Sequence, residues 1–272
     1  ASELGHMQWD RTQAVLEWVA RPQSSVTVRT VAYHHWLSRA WTKFNGFSDG
    51  QDVHELLQAE PDSGQGAVYM AILRGDEDST TSGQDLQIGT NDREFHSFGL
   101  QSTFGWEHHG ERFSSVFEGG IRLHGDDVRR LHTEDPYAMS GGHLTPTGEA
   151  TETTLDSHAT AQALAAYVHE DIRMDRLHLF PSSRLEIVRG WREDEGSTAE
   201  EPLSRAALLP GLGSLYEVDD WTDLFVGMHR GFSPVAPGQP SEVRPEYSWN
   251  FEGGLRRRIG AVQAELVGFF ND

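Results

Sequence analysis

The chain has 272 residues, a formal net charge of −20 and no cysteine. A length of this order allows one large all-β domain or two smaller domains. The acidic balance argues against nucleic-acid binding, which needs clustered Lys and Arg, and the lack of cysteine excludes a disulfide scaffold and cysteine-ligated zinc.

Apolar runs are short throughout the sequence. No stretch approaches the roughly 18 consecutive apolar residues that a transmembrane helix needs. A transmembrane β-barrel remains open, because each spanning strand needs only about 10 alternating residues and leaves the mean hydropathy low. An ordinary acidic soluble protein fits the charge equally well.

The first predicted element is a hairpin. Residues 11–20 alternate apolar and polar side chains around Trp18, a short turn follows at residues 21–24, and residues 26–36 return with Val28 on one face. A period of two predicts strands with one apolar face.

A long polar segment follows the hairpin, roughly residues 38–94, with one short helix-like run at residues 52–58. A loop of this length inside a compact soluble domain is unusual. In a transmembrane barrel, by contrast, loops on one side of the membrane are long and turns on the other are short.

The same alternation of short turns and long loops recurs along the chain. Residues 98–106 and 113–123 predict two strands around a tight turn at residues 108–111, and a second polar segment covers residues 125–156. The Ala-rich residues 157–170 fit a helix or a strand with small side chains on one face. We favour the strand, because a short turn and a clear strand follow at once.

The C-terminal third predicts further strands. These cover residues 177–188, 208–217, 224–232, 247–257 and 260–270, with a charged loop at 190–205 and a tight turn at Asp219 and Asp220. We therefore predict an all-β, antiparallel up-and-down meander of about ten strands, part of a large transmembrane β-barrel. No fixed-length repeat is visible, which argues against a solenoid or propeller.

Two neighbouring motifs carry a family resemblance. H-R-G-F-S-P at residues 229–234 precedes P-E-Y-S-W-N-F-E-G-G-L-R at residues 245–256, with Phe251 where the family has Tyr. The pair resembles a signature of TonB-dependent outer-membrane receptors. Further stretches resemble the same family in its order, closest to the ferric dicitrate type: residues 32–47, 89–101, 118–130 and 208–216.

The resemblance implies a barrel of roughly 22 strands in the bacterial outer membrane, closed by an N-terminal plug. Ferric siderophore or a ferric citrate-like chelate would bind outside, TonB would act through the plug region, and outer-membrane lipid would surround the wall. The sequence lacks a plug and a TonB box, so we expect residues 1–272 to be a partial β-barrel domain without the plug and the barrel ends. The expected cargo is a ferric chelate, with no protein-bound cofactor.

Candidate ligand residues follow from the implied cargo. A ferric citrate-like chelate carries several carboxylates, whose natural partner is the guanidinium fork of Arg. Four arginines at predicted strand–loop junctions are candidates: Arg39, Arg93, Arg129 and Arg130. The alternative is pairing with local acids, namely Asp126, Asp127, Glu134 and Asp135. Gln101 and Arg122 are expected to face the lumen, where they would bind ligand or line the wall.

Metal and catalytic motifs are weak. Adjacent strand residues point to opposite faces, so His34 and His35 form a poor chelate, and we predict no protein-ligated metal. The sequence has neither a G-x-S-x-G elbow nor an H-E-x-x-H helix, so we expect no enzyme. A passive porin-like barrel, or a soluble secreted β-domain that binds carbohydrate or acts as a hydrolase, stays open as an alternative.

Overall fold

A computed structural model gives the fold and describes residues 4–58, 62–196 and 202–272. None of the described helices is long and apolar enough to cross a membrane. The helices are α1 (Val53–Gln58) and α2 (Gly64–Arg74), with a 3₁₀ turn at Ser82–Gln84. The strands are β1 (His6–Gln23), β2 (Val26–Phe47), β3 (Leu86–His109), β4 (Ser114–Ser140), β5 (His143–Pro146), β6 (Glu152–Met174), β7 (Leu177–Asp194), β8 (Leu203–Asp219), β9 (Thr222–Ser233), β10 (Glu246–Ile259) and β11 (Val262–Asn271).

All the strands that the structure describes belong to one sheet. Its order is β1-β2-β3-β4-β6-β7-β8-β9-β10-β11, and the short β5 forms a side hairpin with β4. Every neighbouring pair is antiparallel. The predicted up-and-down meander is confirmed.

Two kinds of connection alternate along the sheet. Short turns join strand pairs at one end of the strands, and we call this end of the sheet the turn edge. The turns lie at residues 24–25, 110–113, 175–176, 220–221 and 260–261. Long connections lie at the other edge, which we call the loop edge, and span residues 48–85, 141–151, 195–202 and 234–245. This asymmetry is that of a transmembrane barrel.

The strands are longer than predicted, and the polar segments are shorter. Residues 38–47 and 86–94 belong to β2 and β3 rather than to a loop, and most of the predicted polar segment at 125–156 lies in β4 and β6. His108 and His109, assigned to a turn from the sequence, end β3. A strand that continues past an apolar band carries polar side chains on both faces, so its composition is that of a loop.

The Ala-rich segment is a strand, as predicted. It lies in β6, paired with β4 on one side and β7 on the other. The structure adds a helix that the sequence analysis missed, α2, within the first long connection. Residues 197–201 of the predicted charged loop lie outside the described residues.

The sheet has two chemically different faces. The apolar face carries Leu100, Leu123 and Leu164, which are cross-strand neighbours and remain 47%, 53% and 42% exposed. No protein layer covers it among the described residues. The polar face carries the alternate residues, including Gln101 and Arg122. Other exposed apolar-face side chains are Leu16, Trp18, Phe98, Phe104, Trp106, Ile121, Val168, Leu185, Ile187, Leu208, Leu212, Val226, Met228 and Phe251.

The main buried cluster lies at the loop edge rather than on the sheet. It joins α1 and α2 to the ends of β2, β3 and β4. The α2 helix ends at Gly75, whose positive φ of 80° closes the last turn and whose Cα faces Gly142 of the neighbouring connection. The first long connection is therefore a folded layer over the loop edge. The buried residues are Phe47, Leu56, Tyr69, Ile72, Leu86, Ile88 and Met139.

Candidate anion-binding site

Three of the four predicted arginines form one row across adjacent strands. Arg39 of β2 lies opposite Arg93 of β3, and Arg93 lies opposite Arg130 of β4. Directly opposed residues point to the same side of a sheet, and neighbouring strands are about 4.8 Å apart. The three half-buried side chains therefore share the polar face toward the loop edge, and we call them the arginine row.

An apolar row lies beside the arginine row on its turn-edge side. Leu37, Phe95 and Val128 form the next cross-strand row on the same face, and all are partly buried. On the loop-edge side, the next row places His132 beside Arg93. Half-buried guanidinium groups beside an apolar row lose part of their hydration, which strengthens any charge interaction made there.

The guanidinium groups have few internal partners. Among the described residues, no carboxylate lies within ion-pairing distance of Arg39, Arg93 or Arg130. The Nε atoms of Arg39 and Arg130 are buried without a hydrogen-bond partner. Arg93 donates from Nε to His132 Nε2 at 3.3 Å. Buried donors without an acceptor are costly, so the row favours an anion that would supply acceptors.

The local acids that the sequence offered as partners bind elsewhere. Asp126 Oδ2 lies 2.9 Å from His124 Nε2, and Asp127 Oδ2 lies 2.5 Å from His158 Nε2. Glu134 accepts from Asn45 Nδ2 at 2.6 Å, and Asp135 accepts from the Thr151 hydroxyl. These four acids therefore do not neutralise the arginines of the row.

Electrostatics at the row reflect its surplus of positive charge. Toward the loop edge, the residues on the apolar face of β3 change from the apolar Phe98 to the polar His96 and Glu94. Arg93 and its neighbours therefore lie outside the apolar band. Burial lowers the pKa of Arg93, and the charges of Arg130 and Arg39 lower it further. The pKa of His132 is lowered in the same way, first by burial and then by Arg93, Arg130 and Lys43.

His132 and Lys43 extend the row, and the sequence analysis missed both. Their signal is the period of two: Lys43 is four residues from Arg39, and His132 is two residues from Arg130, which places each on the arginines' face. His132 is neutral near pH 7 because its pKa is lowered, so its Nε2 accepts the hydrogen bond from Arg93.

Arg129 is separated from the other three. It lies opposite Glu94, on the other side of the sheet, with its side chain 63% exposed. Its Nη2 lies 3.8 Å from Asp156 Oδ2, so it has an acidic partner of its own. Adjacent strand residues point to opposite faces, which is why the sequence pair Arg129–Arg130 does not form a pair in space.

Gln101 and Arg122, which were expected to face the lumen, lie on the polar face nearer the turn edge. Arg122 donates from Nη2 to the Tyr33 hydroxyl at 2.8 Å, and Tyr33 lies 2.7 Å from His124 Nδ1. Arg122 is thus held within the wall. Within the described residues, no group of three or more His, Asp or Glu could hold a metal ion.

The chain is similar to known proteins in both sequence and fold. A sequence profile described as "TonB dependent receptor-like, beta-barrel" matches residues 4–272. The ferric citrate transporter FecA in the unliganded form superposes with a TM-score of 0.73 at 18% identity, over 98% of this chain and 35% of that one. The siderophore receptor PiuA from Acinetobacter baumannii gives 0.71 at 11% identity, over 97% and 40%.

A third solved structure extends the range of cargoes. The copper transporter OprC superposes with a TM-score of 0.63 at 14% identity, covering 100% of this chain and 40% of that one. At these identities the likeness establishes the fold alone. The chain spans between a third and two fifths of the length of these three structures.

Proposed function

Because this chain belongs to the TonB-dependent receptor family of β-barrels, we propose that it forms part of the wall of a receptor that imports an anionic ferric chelate. Barrels of this family are bacterial outer-membrane receptors and transporters, not enzymes. The observation that carries the proposal is the arginine row, three guanidinium groups on the polar face without a carboxylate partner among the described residues.

The polar face would form the lumen of the barrel, and the apolar face would contact lipid. In that orientation the arginine row lies inside the barrel toward the long external loops. A carboxylate-rich chelate entering from outside would reach the row before the level of Arg122. Each Arg fork can hold one carboxylate with two parallel hydrogen bonds, so three forks match a ligand with several carboxylates.

The iron would arrive as cargo with its own ligands. The described residues supply cations and no cluster of metal-ligating side chains, so recognition would depend on the chelator's charge rather than on the metal. Copper transport, suggested by one structural neighbour, is less consistent with a cationic row. A passive porin-like barrel or a soluble carbohydrate-binding domain is not favoured, since the family match covers nearly the whole chain.

Uptake itself would need the rest of the receptor. Among the described residues, the edge strands β1 and β11 each have a single neighbour, and a transmembrane sheet keeps no open edge in lipid. We propose that further strands complete the barrel around residues 1–272 and that TonB supplies the energy through a plug region outside this sequence.

The test is a titration of the intact receptor with ferric citrate. Arg93→Gln should weaken binding about 10- to 100-fold, as expected for loss of charge-assisted hydrogen bonds. Arg129→Gln is the matched control, because it removes one arginine from the same barrel on the other face, and its affinity should stay within about two-fold of wild type. Equal affinity for Arg93→Gln and wild type would remove the row from the site.

A further inference from the structure

A shallow trough crosses the apolar face between β3 and β7. Two cross-strand rows of that face line it. The row nearer the turn edge is apolar, and the row nearer the loop edge contains Gly125, which has no side chain and is covered by the Phe98 ring. The rows are Leu100–Leu123–Leu164–Ile187 and Phe98–Gly125–Gln162–Arg189.

The volume of the trough suits an elongated apolar ligand. It measures about 640 Å³, within the range of small-molecule sites. Its floor is the backbone of the intervening row, because alternate residues point to the opposite face. The trough is thus a feature of the lipid-contacting side and is separate from the arginine row, which lies on the polar face.

Two polar side chains of the apolar face, Gln162 and Arg189, lie at the loop-edge rim of the trough. Arg189 and Gln162 are cross-strand partners, and both are exposed. Within the described part of the chain, neither side chain has a hydrogen bond or ion pair, and the Arg189 guanidinium lies 6.0 Å from the centre of the Trp191 ring. Asp127, an acid of the neighbouring row on the same face, accepts from Thr160 Oγ1 at 3.0 Å and contacts His158 Nε2.

The rim marks the boundary of the apolar band. On β7 the apolar face carries Leu185 and Ile187, then Arg189 and Trp191 toward the loop edge. Trp and Arg at the end of an apolar stretch are typical of the level of the lipid headgroups. An unpaired Arg above an apolar trough at this level presents a cation where the headgroup phosphates lie.

We propose that this trough binds a membrane lipid of the outer leaflet whose phosphate headgroup carries a net negative charge. The phosphate oxygens accept hydrogen bonds from the Arg189 fork and the Gln162 amide, and one acyl chain lies along Leu123, Leu164 and Ile187. The loop edge faces outward in this family of folds, so the lipid belongs to the outer leaflet. The charge of Arg189 distinguishes this occupant from an uncharged lipid.

The experiment measures lipid binding by the intact receptor in a neutral detergent, by native mass spectrometry. Dioleoyl phosphatidylglycerol is compared with dioleoyl phosphatidylcholine, which has the same chains and a phosphate offset by a cation. One basic residue near a membrane surface gives about five-fold selectivity for an anionic lipid. We expect this preference in wild type and in Arg129→Gln, and its loss in Arg189→Gln.

Two further measurements separate the contribution of the phosphate from that of the acyl chains. Glycerol 3-phosphate carries the phosphate without chains and should bind far more weakly than phosphatidylglycerol. Leu164→Ser should weaken phosphatidylglycerol several-fold by removing chain contacts. The proposal is overturned if Arg189→Gln keeps the wild-type preference, if Arg129→Gln loses it equally, if Leu164→Ser binds as wild type, or if glycerol 3-phosphate binds as tightly as the lipid.

Discussion

Arg93 donates a hydrogen bond from Nε to Nε2 of His132, 3.3 Å away and next to it across the β3–β4 pair. The contact requires a neutral imidazole, because a protonated ring has no acceptor nitrogen. The pKa of His132 is lowered by burial and by the neighbouring cations, which keeps the ring neutral near pH 7. A histidine thus orients the central arginine of the row without competing for an anion.

This arrangement makes stability depend on pH in a defined direction. The pKa of His132 is lower in the folded barrel than its usual value of about 6.5, so the unfolded chain binds more protons between those two values. The free energy of unfolding therefore falls as the pH drops through about 6.5 toward the folded pKa. Thermal melts should show wild type losing stability relative to His132→Gln as the pH falls below about 6.5, because glutamine does not titrate. A constant separation would contradict this assignment.

Much of the fold could be predicted from the alternation of apolar and polar residues in the sequence. Period-two alternation around Leu100 and Leu123 predicts strands with one apolar face. The register of β3 with β4, which pairs Leu100 with Leu123, confirms the strands and their apolar face. The strand ends do not follow, because β2 and β3 continue past the apolar band into residues whose two faces are equally polar. Composition cannot separate such a strand from a loop.

Only part of the candidate site could be predicted from the sequence. Counting by two places Arg130 and His132 on one face of β4 and Arg129 on the other, so the sequence could have separated the two adjacent arginines. The meeting of Arg39 with Arg93 depends on the register between β2 and β3 across a connection that contains two helices. Register over a connection of that length is set by pairing and packing rather than by a local turn.

Salt should reveal the charge of the row directly. Binding of ferric citrate by the intact receptor should weaken as ionic strength rises, because added ions screen the attraction between chelate and arginines. The double variant Arg39→Gln with Arg130→Gln should bind more weakly and show a flatter dependence on salt. Isothermal titrations at several salt concentrations give both quantities. A double variant with the wild-type salt dependence would show that other cations attract the ligand.

Glycine positions within β3 test the packing of the polar face. A Cβ on Gly99 would lie 2.4 Å from the Tyr33 hydroxyl and 2.6 Å from the Leu123 carbonyl oxygen, whereas one on Gly105 would have no neighbour closer than 3.8 Å. Gly99→Ala should therefore lower the free energy of unfolding by about 1–3 kcal/mol, the usual cost of overpacking. Gly105→Ala is the matched control and should be close to neutral. Melting of the two refolded barrels in detergent gives the comparison, and equal stability would mean that Tyr33 moves freely away from Gly99.

The folded layer over the loop edge should lose order independently of the sheet. Ile72 is fully buried among the side chains that join α2 to β2, β3 and β4, whereas Met70 lies on the same helix outside that cluster. Truncation of a buried Ile to Ala costs about 2–5 kcal/mol, and most of that loss should fall on the local opening of the layer, since the sheet is held by its own pairing. Hydrogen exchange in residues 64–74 should rise strongly in Ile72→Ala and little in Met70→Ala, with strands β6–β9 protected as in wild type. Simultaneous loss of protection in those strands would show instead that the layer and the sheet unfold as one unit.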